Sequence, residues 1–139
     1  MKKTTALIVT LLMVCIAMVN CQKTEILEGV WQMIDQKMKF PNETINHSEF
    51  VNPVIKIFTS EHFSSSGLCE DNQFVGHFGK YSYDGEAYTE HIKYSALAAL
   101  MGQSVTMKSK MDGDNWMIEG VLFFEGEKIK FYETWQRIE

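Results

Sequence analysis

From Gly29 onward the chain alternates apolar and polar residues with a period of two, the mark of strands that bury one face. The pattern is clearest late in the chain. Over residues 104–111, Val105, Met107 and Met111 alternate with Thr106, Lys108 and Lys110. Asp112-Gly113-Asp114 then reads as a hairpin turn, because glycine tolerates positive φ. Over residues 116–124, Trp116, Ile118, Gly120, Leu122 and Phe124 share a face. Glu125-Gly126-Glu127 turns the chain again, and residues 128–137 form the last strand, with Ile129, Phe131, Glu133, Trp135 and Arg137 on one side. An earlier hairpin runs from residues 76–83 through Asp84-Gly85-Glu86 to residues 87–95. Residues 30–39 and 54–59 read as the first strands. Residues 62–67 admit a further short strand, although Ser64-Ser65-Ser66 taken alone reads as a loop. Residues 96–101, rich in alanine and leucine, predict a helical turn. The polar stretch 40–52 predicts an excursion, with a second helical turn near residues 48–51. The sum is an all-β domain: an antiparallel up-and-down barrel of about eight strands with one or two short helical turns.

The first 20 residues follow a different pattern. Met1-Lys2-Lys3 is a basic start, and a run of about 14 mostly apolar residues follows, ending at Asn20-Cys21. This run is shorter than the roughly 20 residues needed to cross a bilayer, so it reads as an export leader. Cys21 at its end resembles the lipidation point of a bacterial lipoprotein. The alternatives are an ordinary secretory leader with an incidental thiol at position 21, or a retained anchor. The division expected is therefore a signal peptide at 1–20, a lipidated tether at 21–28 and a barrel domain at 29–139. The expected location is the cell envelope, lipid-anchored at the outer membrane on its periplasmic or surface side.

Composition narrows the function. Lys2 and Lys3 leave with the signal, so 13 basic residues become 11 against 18 acidic ones, a net charge of −7. An acidic surface repels phosphate backbones, which argues against nucleic acid. Cys69 sits beside Glu70 and Asp71, the wrong charge for activating a thiol, and reads as inert. His47, His62, His77 and His91 have no close metal-ligand spacing, and His91 is expected to face solvent. No nucleophile motif appears. The expectation is a protein without catalytic residues, metal or cofactor.

The chain opens its first strand with Gly29-Val30-Trp31 and closes with Glu133-Thr134-Trp135-Gln136-Arg137. A Gly-x-Trp at the start with an arginine at the end of the last strand resembles the calycin superfamily, which includes lipocalins and fatty-acid-binding proteins. With Gly79-Lys80-Tyr81-Ser82-Tyr83 and Tyr88-Thr89-Glu90-His91-Ile92, it is similar to a lipocalin-like domain of unknown function found in Bacteroides-type lipoproteins. The resemblance implies that Trp31 plugs one end of the barrel, that Arg137 lies across its indole, and that Gly29 allows the tight bend beneath. It implies no ligand.

Parity places Glu90, with Tyr88, Ile92 and Tyr94, and Glu133, with Phe131 and Trp135, on inward faces. A buried carboxylate needs a partner or a proton. Two readings follow: polar anchors in a ligand cavity, or structural pairs such as Glu133 with Arg137. The leading expectation is a cavity for a small hydrophobic or amphipathic molecule, lined by Met33, Ile57, Tyr88, Glu90, Ile92, Tyr94, Met107, Ile118, Leu122, Phe131 and Glu133. The alternative is a solid barrel that serves an envelope protein complex as scaffold or accessory, through an outer patch of Tyr81, Tyr83, Met117, Val121, Phe123 and Tyr132.

Overall fold

A computed structural model describes residues 26–68, 71–124 and 126–139. The export leader, Cys21 with most of its tether, and Cys69 lie outside the described residues.

Among the described residues nine antiparallel strands follow one another: β1 (Gly29–Lys39), β2 (Thr44–His47), β3 (Ile55–Phe58), β4 (His62–Leu68), β5 (Phe74–Tyr83), β6 (Ala87–Ser95), β7 (Ser104–Asp112), β8 (Asn115–Phe124) and β9 (Glu127–Arg137). Each strand from β3 to β8 pairs with the next, and β1 joins β3 on one side and β9 on the other. Eight strands thus close into a cylinder, and closure removes the sticky edges of an open sheet. β2 is extra: it continues the β3 side of β1, pairing with residues 36–39 after β3 has paired with residues 29–32. The all-β barrel expected from the alternation is borne out.

The hairpins form for local reasons. The Asp84 carboxylate accepts hydrogen bonds from the backbone N–H of Glu86 (2.9 Å) and Ala87 (2.7 Å), while Gly85 takes a φ of +102°. Gly113 does the same work between β7 and β8 with a φ of +60°. Residues 96–101 give one 3-10 turn, Ala98–Leu100, which buries Leu100. Residues 48–51 are not helical. The excursion instead folds back as β2, and the Phe50 ring packs against the core. The triple serine belongs to β4, with Ser65 turned inward and buried.

One end of the cylinder is filled with rings. Trp31, Phe58, Phe63, Tyr81, Tyr83, Tyr88, Trp116 and Trp135 are all buried there. The centroids of Tyr88 and Trp116 are 4.9 Å apart, edge to face, as are those of Phe58 and Tyr81. Such pairs contribute about 0.5–1.5 kcal/mol each beyond simple burial. Tyr81 and Tyr83 therefore belong to the interior and not to an outer patch. Their strand alternates from His77 to Tyr83, and the odd positions point in.

Two bulges break the parity that the sequence suggests. Ile34 is an extra residue in β1 opposite β9, so that Gln36 and Met38 point inward after Trp31 and Met33. Lys93 is an extra residue in β6 opposite β5, which pairs Ile92 with Gly79 but Tyr94 with Phe78.

Candidate functional site

Above the aromatic floor the interior is hollow. A cavity of about 340 Å³, open to the outside, is lined by residues from every strand of the closed cylinder and by the Leu97 and Leu100 side chains at the 3-10 turn. Its volume lies at the low end of small-molecule pockets. Met38, Val54, Val75, Ile92, Val105, Leu122 and Phe131 form the apolar part of the wall. The polar groups gather where the cavity meets the rings.

Lys56 is the centre of that polar layer. β3 reads Ile-Lys-Ile-Phe, and Lys56 and Phe58 face inward, so that Lys56 is only 4% exposed. Its Nζ donates to Glu90 Oε1 at 2.7 Å, and the Tyr88 hydroxyl donates to the same oxygen at 2.8 Å. The ammonium also lies 4.6 Å from the Trp135 ring centre and 5.5 Å from that of Tyr88. A buried ammonium loses its water, and here a carboxylate and ring faces replace it. Burial and the neighbouring Glu90 push the Tyr88 phenol well above its ordinary range, so it stays a donor.

Glu133 sits in the same layer with a different set of partners. Gln36 Nε2 donates to its Oε1 at 3.2 Å and Trp135 Nε1 donates to its Oε2 at 3.0 Å. Burial raises its pKa above the ordinary carboxylate value. Lys56 pulls it down, the two hydrogen bonds do likewise, and Glu90 pushes it up. On the β5 side, His77 Nδ1 is 2.9 Å from Ser95 Oγ, and burial lowers the His77 pKa. Two carboxyl groups and one lysine, which is bonded to Glu90, thus stand around the floor of an otherwise apolar cavity.

Of the residues expected at the lining, Met33, Glu90, Ile92, Met107, Leu122, Phe131 and Glu133 face the cavity. Tyr88 and Ile118 point inward but are buried beneath it. Two expectations are corrected. Ile57 is 46% exposed on the outer surface, because β3 turns its lysine inward and its isoleucine outward. Tyr94 is 58% exposed, because the Lys93 bulge moves it to the outer face, where it stacks on Phe78 at 6.3 Å. The pairing of Glu133 with Arg137 is also replaced by the Gln36 and Trp135 contacts. Lys56, Gln36, Ser65 and His77 were not anticipated. The signal for Lys56 was a count of charge: an inward Glu90 demands a cation, and Lys56 shares a face with Phe58.

At the closed end the Arg137 guanidinium stacks 4.3 Å from the Trp31 ring centre and donates to the carbonyls of Glu28 and Ile26. The Trp31 indole donates to the Leu27 carbonyl at 2.8 Å. Gly29 has a φ of +124°, and a Cβ there would run into the Glu139 carbonyl.

This architecture has a solved counterpart. A lipocalin-like protein from Bacteroides uniformis ATCC 8492 is similar at 17% identity and a TM-score of 0.52, over 81% of this chain and 98% of that one. An uncharacterized protein from Bacteroides eggerthii DSM 20697 matches at 14% identity and a TM-score of 0.46, over 77% of this chain and 98% of that one. No curated protein matches the sequence. The lipocalin-like resemblance read from the residues is borne out. Residues 26–139 match the family described as a domain of unknown function, DUF4488, and the chain belongs to that family.

Proposed function

We propose that this protein is a non-catalytic carrier or receptor that holds one small hydrophobic or amphipathic molecule in its barrel. The observation that carries the reading is the cavity itself: about 340 Å³, apolar at its walls, polar at its floor and open at its mouth. A barrel of this strand number can be filled by side chains or left hollow, and a solid one would have favoured the scaffold reading. The volume suits a single medium-length alkyl chain or a small ring system and is too small for a two-chain lipid. In this reading Cys21 carries the lipid that tethers the barrel to the envelope membrane, and residues 26–28 lead into β1 at the closed end. A scaffold role would keep Phe123 of the expected patch, which is exposed, lose Tyr81 and Tyr83 to the interior, and add an outer row of Ile57, Phe78 and Tyr94 on β3, β5 and β6, with His62 stacked on Phe78 at 5.7 Å.

Native mass spectrometry of protein purified from its own cell envelope tests the leading reading. A small molecule that leaves only on denaturation supports it. A bare protein, together with unchanged tryptophan fluorescence across a panel of single-chain amphiphiles, ends it.

A further inference from the structure

Resting on the cavity reading above, we propose that the ligand is an amine: an apolar body bearing a protonated primary or secondary amino group that pairs with Glu133 at the cavity floor. The argument is one of charge and donor count. The only ammonium in the described polar layer, that of Lys56, is buried and held by Glu90 at 2.7 Å. Glu133 has no cationic partner among its hydrogen bonds; it accepts from an amide and an indole. A carboxylate offers about four lone-pair positions, and those two donors leave room for more.

An incoming carboxylate would be a third acid group facing one lysine. It would either have to break the Lys56–Glu90 pair or remain unpaired in a site of low polarity, and both are costly. A protonated amine does the opposite. It brings the second positive charge that the two carboxyl groups lack and supplies N–H donors to an acceptor already turned toward the cavity. An alcohol supplies a donor without the charge. Its chain would run along Ile92, Val105, Leu122 and Phe131 toward the mouth, in each case identically. Head-group preference therefore separates from chain burial.

The test is isothermal titration of the tether-free barrel domain with decylamine, decanol and decanoate at neutral pH, each below its micelle concentration. The family match over residues 26–139 and the closed pairing of β1 with β9 mark that part as a folding unit. The expected order is amine, then alcohol, then carboxylate, with about tenfold between the first two, the margin a charge-assisted hydrogen bond holds over a neutral one. In Glu133→Gln the amine loses that margin over decanol. Decanoate binding as tightly as decylamine overturns the amine assignment and leaves the cavity reading standing. An unaltered amine margin in Glu133→Gln overturns it too. Failure of all three probes to bind overturns the cavity reading, and the amine assignment falls with it. The wild-type series decides the matter even if the variant does not fold.

Discussion

Arg137 lies over Trp31 with its guanidinium carbon 4.3 Å from the ring centre, and the two are also direct neighbours in the β1–β9 ladder. The contact joins the first strand of the barrel to the last, so it acts on closure itself. Arg137→Met removes the cation–π contact and the donors to Glu28 and Ile26. The expected loss is about 2–4 kcal/mol of unfolding free energy in urea. Arg137→Lys recovers less than half of it, because an ammonium cannot present the planar fork to two carbonyls. A change below about 0.5 kcal/mol for Arg137→Met would remove the closure role.

The Lys56–Glu90 pair is buried on both sides. Breaking such a pair leaves an uncompensated charge, so Lys56→Met alone is expected to cost about 3–5 kcal/mol. The double variant Lys56→Met with Glu90→Gln keeps an acceptor for the Tyr88 hydroxyl and removes both charges. It should recover most of the loss. Additive single-variant effects in the denaturation cycle would show that the two groups act independently.

Stability should depend on pH through two groups of opposite sign. Glu133 has a folded pKa raised from its ordinary 4.5, chiefly by burial. The folded protein holds that proton more tightly than the unfolded chain. The contribution is complete below pH 4.5 and is lost as pH rises through the raised value. His77 has a folded pKa lowered from 6.5, again chiefly by burial. Its contribution is present above pH 6.5 and is lost as pH falls through the lowered value. The groups around them are Lys56 on β3, Tyr88 and Glu90 on β6, and Gln36 on β1. Urea midpoints measured across mildly acidic to neutral pH should show Glu133→Gln losing the fall toward higher pH. His77→Gln should lose the fall toward lower pH. Variants that keep the wild-type profile would assign the dependence to other groups.

Filling the cavity should block it without opening the barrel. Leu122 lines the wall, and Leu122→Trp places an indole in the ligand's volume. The expected outcome is a loss of about tenfold or more in decanol affinity by titration calorimetry, at an overpacking cost of about 1–3 kcal/mol. Tyr94→Lys, on the outer face, should leave decanol affinity unchanged. If the outer variant weakens binding and the inner one does not, the binding surface lies outside the barrel.

The alternation of β7, β8 and β9 was legible because each strand runs long without a bulge, and a sheet with one buried face writes its period directly into residue type. Glu133 and Met107 were placed correctly on that ground. Ile57 was misplaced because β3 has four residues, too few for parity to be read against an apolar pair flanking a lysine. Tyr94 was misplaced because a bulge adds one residue, and one residue turns every later side chain to the other face.

The residues alone determined the class of fold and the two inward carboxyl groups, since turn chemistry and a period of two are local properties. They also placed Trp31 and Arg137 at the two ends of the barrel sequence. Tertiary structure decided the rest. Lys56 becomes a buried cation only because Glu90, 34 positions away, meets it across the interior. Whether eight strands enclose a void or a packed core depends on how side chains from opposite walls meet, a sum over pairs far apart in the chain that no single strand records.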